Sequence, residues 1–599
     1  MNDMVKPRKV QEVVKSGYER LQKFRKARAM FIREAVGQYY ADEYGVTGEQ
    51  PLNLIFSAIR AMIPVIVSRN PINQVETDIL AYKQYAELLS LGIDKVERRC
   101  DVKNLIRRWA VSAMFMLGIM KVGIAATGDM IQLGDSLIDP GDIYMELVSF
   151  DDWVIDPICT NIRESSFVGH ATYVPRQYLL DTDGLNHDLI LELPTAADNT
   201  FDNNAVANLT RQRSGVYEME TVQDMVRVVE LWVPGTNALV TIPDPHQITF
   251  DKYIGVREYY GPDSGPYEYL SFMPPIDDNP IPVAPVSLYF DLARAANRAF
   301  NKQLEKAEGQ RDIVFYRPSH ADVAQDVVES RDGDTIATDD PGAVHVASFG
   351  GKDRGTSEWL SELHYHFNYM AGNPDQIQGL KSDARSATQA NILQSNAMIA
   401  VEDAKDILYD ATARVGEKIM WYLHHDPLIN MVLAKRGPGQ ETVEVRLTPE
   451  QRRGDAADFI VKVKPKSMGK LDPATRSKRI MEFTVNVIPA ILNSAMIAMQ
   501  MGVPFNVQSA LTMVAEELEI GEWLQEIFHD PQYQEKLMTY MTLGGVQQGL
   551  GKGTPITQEG IMQQGGYPGK QLFETPIQEF RQQAQEGANM QQSLIQGLY

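Results

Sequence analysis

The carboxylates Asp139, Asp142, Glu146, Asp151, Asp152 and Asp156 crowd into one short segment, and a dense set of oxygen ligands is what a hard divalent cation takes. Their spacing fits no EF-hand loop and no histidine lies among them, so turn-forming and surface carboxylates are the plainer reading. His424-His425-Asp426 and the pair His364/His366 invite a ligand reading too, but adjacent side chains on a helix diverge, and histidines at helix ends already have a dipole reason to be there. Cys100 and Cys159 form neither a CxxC pair nor a disulfide framework, which predicts two buried thiols in a reducing compartment. Gly545 to Thr554 approaches a phosphate loop, yet its first glycine is one position out and Gly553 stands where Ser or Thr should follow Lys552. No GxSxG, HExxH or GxGxxG sits in a usable context. The expectation is a protein with no catalytic residues, no metal and no other cofactor: not an enzyme.

The remaining chemistry is basic. Arg294, Arg298, Lys302 and Lys306 recur every four residues, which keeps them close along a slowly drifting helix face, with Glu305 and Glu308 offsetting part of the charge. Such a row serves either as a salt-bridge face, solvated or between subunits, or as a DNA contact. A second basic stretch, residues 6–40, sets Arg8, Arg20, Arg25 and Arg28 among others around an apolar stripe of Val14, Tyr18, Leu21 and Phe31. It can pair with acidic surface elsewhere in the chain or meet an acidic partner. Against these stands a formal charge of −22 over 599 residues, which argues against holding nucleic acid by phosphate neutralisation but leaves room for loose, sliding contact.

The elements that must position these groups follow from periodicity. Helices are predicted over 6–40, 52–67, 78–91 and 102–117, then short strands such as Met120 to Ala125, Ile143 to Phe150, Val168 to Val174, Val226 to Trp232 and Ala238 to Ile242, bounded by Gly, Pro, Asn and Asp. A proline-punctuated connection leads to a helix over 286–308. Strands at 313–316 and 343–346 come next, then a second helix from a Thr356/Ser357 cap to Gly372-Asn373-Pro374 with Leu360, Leu363, Phe367 and Met370 on one face. The polar loop 373–385 precedes a helix from about Ser386 to Leu423, about 57 Å at roughly 1.5 Å per residue. It lacks a sustained a/d heptad, and Asp403, Lys405, Asp406, Asp410, Arg414, Glu417 and Lys418 exclude a membrane span, so a strut in a large assembly is the surviving reading. Strands at 442–447 and 459–464 and a helical block from Asp472-Pro473 to Trp523 follow, then a Gly/Gln/Met-rich tail. The apolar runs 113–126 and 485–505 are too interrupted to span a bilayer, and no signal peptide is expected.

Several local patterns together resemble the portal, or head-to-tail connector, proteins of tailed bacteriophages. Ala113 through Gly123 is similar to the helix-to-strand passage of the family's wing, and Val148-Ser-Phe-Asp-Asp-Trp-Val-Ile-Asp-Pro157 to its strand-turn signature. Pro282 to Lys302 resembles the stem helix, and Ser386-Ala-Thr-Gln-Ala-Asn-Ile-Leu-Gln394 the start of the long helix after the tunnel loop. The resemblance covers roughly residues 10 to 530.

It implies an α+β, mainly helical, elongated and ring-forming subunit. Its parts would be a mixed α/β wing (1–285), a stem helix (286–308), a small α/β clip (309–355), a second stem helix (356–372), a tunnel loop (373–385), a long wing helix (386–425), return strands to the wing (426–470), a helical crown (471–529) and the tail (530–599). It implies a ring of twelve subunits at one capsid vertex of the virion, assembled in the host cytoplasm, through which double-stranded DNA is packaged and ejected. Expected partners are the terminase, head-completion or tail adaptor proteins, and the major capsid and scaffolding proteins, with no membrane. The resemblance places Gln376, Gln378, Lys381 and Arg385 at the DNA channel, Arg294, Arg298, Lys302 and Lys306 along the stem, and Tyr316, Arg317, His320, Asp322, Asp326 and Arg331 on the partner-binding clip. The alternatives are another non-enzymatic virion component, such as a scaffold or tail protein, and a metal-dependent hydrolase using the carboxylates 139–156.

Overall fold

The computed structural model describes residues 6–36, 52–128, 130–133, 136–195, 224–331, 333–351, 353–377, 387–436, 442–464, 473–500 and 507–518. All belong to one unit, Met1–Gly437 with Glu441–Gly521; the other, Pro438–Gln440 with Glu522–Tyr599, lies outside the described residues and takes in the expected tail.

Helical spacing of apolar residues produces α1 (Pro7–Val36), α2 (Leu54–Ile66), α3 (Lys83–Arg99) and α4 (Val102–Phe115), with strand β1 (Asn73–Glu76) ahead of α3. The third helix starts later than expected and runs past Leu91, because Ile93 and Val96 continue the buried stripe of Tyr85, Ala86 and Leu89. Next come β2 (Gly118–Ala125), β3 (Ile131–Leu133), β4 (Ser136–Ile138), β5 (Asp142–Val148), β6 (Trp153–Ile155) and β7 (Val168–Pro175). Two short helices, α5 (Arg176–Asp181) and α6 (His187–Glu192), precede β8 (Met225–Val233), β9 (Ala238–Pro243), β10 (Gly255–Glu258) and β11 (Tyr267–Leu270). Then follow α7 (Phe290–Glu308), β12 (Arg311–Tyr316), α8 (Ala321–Glu329), β13 (Val344–Phe349), α9 (Arg354–Met370), the single turn α10 (Pro374–Ile377) and α11 (Ala387–His425). The described chain ends with β14 (Met431–Arg436), β15 (Thr442–Leu447), β16 (Ile460–Val463), α12 (Pro473–Glu482), α13 (Ile488–Gln500) and α14 (Val507–Glu517). A π-helical turn, Phe483–Val487, joins α12 to α13.

The class is α+β. The strands form an antiparallel five-stranded sheet, β10-β9-β8-β7-β6, an antiparallel three-stranded sheet, β11-β2-β5, and four two-stranded pairs. One pair, β1 with β16, brings the chain after α11 back beside α3. Two cores result. The larger gathers α2, α3, α4, β2, β5 and α11; the smaller gathers β7, β8 and β9 with Leu179 and Ile190 of the short helices. Helix α1 serves both, giving Val14 and Tyr18 to the smaller and Leu21, Phe31 and Ala35 to the larger.

Polar groups join the two main sheets. Lys121 on β2 lies 2.8 Å from Glu230 on β8 and 3.6 Å from Glu146 on β5, and His170 Nδ1 on β7 lies 2.8 Å from the Tyr267 hydroxyl on β11. Burial works most strongly against the Lys121 charge, but Glu230, Tyr144 and Glu146 together outweigh it and raise the pKa. Burial likewise opposes ionisation of Glu230, yet Lys121 holds its carboxyl down at about 2. His170 is buried next to Lys121, and both effects push its pKa down to about 3.

Helix α11 is fixed to β11 in the same way. Lys418, 1% exposed, lies 3.3 Å from Glu268 and donates to the Ser264 hydroxyl and the Gly265 carbonyl, while Arg414 meets Glu268 at 3.1 Å. The buried residues Val401, Ala404, Leu408, Tyr409, Ala411, Thr412, Val415, Lys418, Ile419, Met420 and Tyr422 form a band broader than an a/d seam. They face this chain's own helices and sheets, and Lys418 occupies one of the apolar places.

Two predictions follow from this packing. In Gly17 of α1 an added Cβ would run into the Ile155 carbonyl and Val154 of β6. Helix propensity alone says that Gly17→Ala stabilises by roughly 1 kcal/mol. The clash reverses the sign, and a loss of about 1–3 kcal/mol is expected in chemical unfolding; a gain would show that α1 does not seat on β6. For His170, the unfolded chain gains a proton near pH 6.5 that the native histidine takes only near 3, so stability falls as pH drops through that window, by roughly 1.4 kcal/mol per pH unit. His170→Gln should flatten that limb of the thermal-midpoint profile relative to wild type, and parallel profiles would refute the assignment.

Candidate functional site

The helix–excursion–helix series from α7 to α9 carries most of the expected site residues. Helix α7 starts at Phe290, not Val286: Pro285–Leu288 form a 3-10 turn, and Leu288 is 41% exposed. Its inner face is Phe290, Ala293, Ala296 and Asn297. Asn297 anchors the helix to the body, accepting from Leu52 N–H at 2.9 Å and donating to Glu34 at 3.1 Å, and Phe290 packs edge-on against Phe31 at 4.9 Å.

Helix α9 runs antiparallel beside α7, burying Leu363 and Phe367, with Phe367 against Tyr289 at 5.3 Å. Its N-cap position is Asp353 and not Thr356 or Ser357, which lie in the first turn; Met370 is half exposed and sits outside the buried face. Toward the far end the pair is held by polar contacts: Gln303 donates to the Ser357 hydroxyl at 2.8 Å, and Lys306 meets Asp353 at 2.8 Å. Hydrogen bonds from Lys306 and Thr356 hold the Asp353 carboxyl well below the usual carboxylate range. Positive φ at Gly372 (80°) and Asn373 (57°) ends α9, as their residue types predict.

Of the four basic residues expected along the stem, Arg294, Arg298 and Lys302 are exposed, Arg294 lying over the Phe290 ring, whereas Lys306 is turned to Asp353. The fourth therefore does not continue the row. Between α7 and α9, β12 pairs with β13 from Arg311↔Phe349 to Tyr316↔Val344. Over 309–351 the buried hydrophobics among the described residues are Ala324 and Ala343, while Phe315, Tyr316, Val328, Val346 and Phe349 are 44–67% exposed. Of the residues expected to bind partners there, Tyr316 is exposed, Arg317 pairs with Asp340 at 2.8 Å, His320 bonds Ser319, Asp322 and Asp326 lie exposed on α8, and the Arg331 N–H donates to Asp334. Gln376 is half-buried on α10; Gln378, Lys381 and Arg385 lie outside the described residues.

The other candidates separate. Asp139 accepts from the N–H groups of Thr127, Gly128 and Gly141; Asp142 pairs with Arg99, Glu146 with Lys121, Asp151 with Arg28, and Asp152 with Arg227, while Asp156 accepts from Ile158 N–H. Among the described residues no three His, Cys, Asp or Glu side chains converge as a metal site. His424 faces the Tyr85 hydroxyl at 3.1 Å and His425 stacks on Trp421. Part of the basic face of α1 is used inside the chain: Arg20 donates to the carbonyls of Asp156, Pro157 and Cys159, Arg25 to those of Tyr18 and Trp153, and Arg8 pairs with Asp251, while Lys6, Lys9, Lys15, Lys23, Lys26 and Arg33 are exposed. No helix among the described residues is long and apolar enough to cross a membrane.

Sequence reasoning missed the outer face of α9, where Glu358 and Glu362 are exposed with Tyr365 and Tyr369, both 68% exposed. Aromatic residues off the apolar stripe were the available signal. Comparison with family models and with curated proteins finds no match.

The Lys306–Asp353 contact closes the neck between α7 and α9, so Asp353→Ala is expected to speed deuterium exchange at amides of β12 and β13 while leaving the thermal midpoint unchanged. Unaltered exchange there would show that the neck does not depend on this pair.

Proposed function

We propose that this chain is a non-enzymatic subunit of a ring-shaped phage portal, through which double-stranded DNA is packaged and ejected. One observation carries the reading: an antiparallel helix pair, tied to the body at Asn297, bears a β12–α8–β13 excursion with almost no core of its own and a run of exposed Phe, Tyr and Val side chains. A two-stranded sheet is marginal in water by itself. Apolar exposure of this kind marks an interaction surface. In this reading α7 and α9 are the stem, the excursion is the clip that docks terminase and later adaptor proteins, and 373–385 is the channel loop. Helix α11 is the strut of the wing, and the chain assembles at a capsid vertex. The charge of −22 suits a conduit, since every phosphate neutralised adds salt-dependent affinity that would hold DNA back.

Electron microscopy of the purified full chain tests this. Closed rings with a central channel are expected; filaments or discrete dimers would favour another structural component of a virion, and a monodisperse monomer at every concentration tried would remove the reading altogether.

A further inference from the structure

The two outer faces of the α7–α9 pair are complementary, and we infer that α7 of one subunit docks against α9 of the next. The inference rests on the ring reading and names the contact that closes it. Within one subunit Gln303 stands level with Ser357 and Lys306 with Asp353. Following the antiparallel helices turn by turn sets Lys302 level with Glu358, Arg298 with Glu362, and Arg294 with the stretch between Tyr365 and Tyr369. Arg294, Arg298 and Lys302 lie away from the buried Ala293, Ala296 and Asn297; Glu358, Glu362, Tyr365 and Tyr369 lie away from the buried Leu363 and Phe367. The basic face and the acidic, aromatic face are therefore both exposed, one on each helix of the pair.

A head-to-tail repeat is what such a pair of faces builds, and rotation about an axis running along the helices leaves each residue at its own height. Arg298 of one copy then meets Glu362 of its neighbour, Lys302 meets Glu358, and Arg294 reaches the tyrosine rings, a geometry suited to cation–π contact. Even the exceptions match: Glu305, an acidic residue beside the basic row, falls near the level of Arg354 on α9. The partners these groups now have are weak rivals. Glu358 pairs with Arg354 one turn away, 66% and 93% exposed, and Glu362 reaches His366 only at 4.0 Å. The occupant is thus a second copy of this chain, and the basic row of the stem lies between subunits instead of along the lumen.

Charge reversal in the full chain tests this, read by native mass spectrometry and light scattering. Arg298→Glu and Glu362→Arg should each lower subunit association on the order of tenfold or more, by setting like charges opposite one another, and the double variant should recover it. Because both side chains are exposed in the single copy, far-UV circular dichroism and the melting of the dissociated subunit should match wild type. Single variants that form rings as wild type does, or a double variant no better than either single, would overturn the pairing while leaving the ring reading intact. Intact rings with weakened DNA retention would overturn it in favour of a lumen-facing row. A wild-type chain that never forms rings would remove both.

Discussion

The body of this protein depends on an ion pair buried under its longest helix. Lys418 is 1% exposed toward the C-terminal end of a 39-residue helix, at a place where an isolated ammonium could not be kept charged. Burial pulls its pKa down and Glu268 of β11 resists, with the Ser264 hydroxyl and the Gly265 carbonyl taking further protons of the ammonium. Buried pairs of this kind add little net stability over a well-packed apolar alternative, but a helix placed without its partner is penalised heavily. In this structure Lys418 and Glu268 fix where α11 crosses β11.

The same device recurs wherever two layers meet. Lys121 with Glu230 and His170 with Tyr267 join the three- and five-stranded sheets; Arg227, on β8, reaches Asp244 at 2.8 Å and Asp152 at 2.9 Å. Arg25 and Arg28 fasten α1 to the segment around β6. The net acidity of the chain conceals how many of its cations are spent on internal contacts, among them Arg8, Arg20, Arg25 and Arg28 of the first helix. In contrast the α7–α9 pair and its excursion have few such locks beyond Asn297 and Lys306–Asp353, and their polar and aromatic groups remain exposed.

By itself the sequence determined most of the longer helices and several of the strands, but not β1, β14 or the short helices α5, α6 and α8. Helical and alternating periodicities are local, and so are the turn preferences of Gly372 and Asn373; for this reason the order helix, small sheet, helix and, further on, long helix was legible from residues alone. The basic row of α7 was legible too, except for Lys306, whose turn toward Asp353 needs a partner 47 residues away. What only the tertiary structure decided is which charges are interior. In the sequence Lys418 was one of the charges that argued against a membrane span, and the carboxylates 139–156 were crowded into one segment. The fold buries the first and deals the second out to Arg99, Lys121, Arg28 and Arg227, because a charge's environment is set by residues distant in sequence. The acidic, aromatic face of α9 became visible as a face only once the buried side of that helix was known.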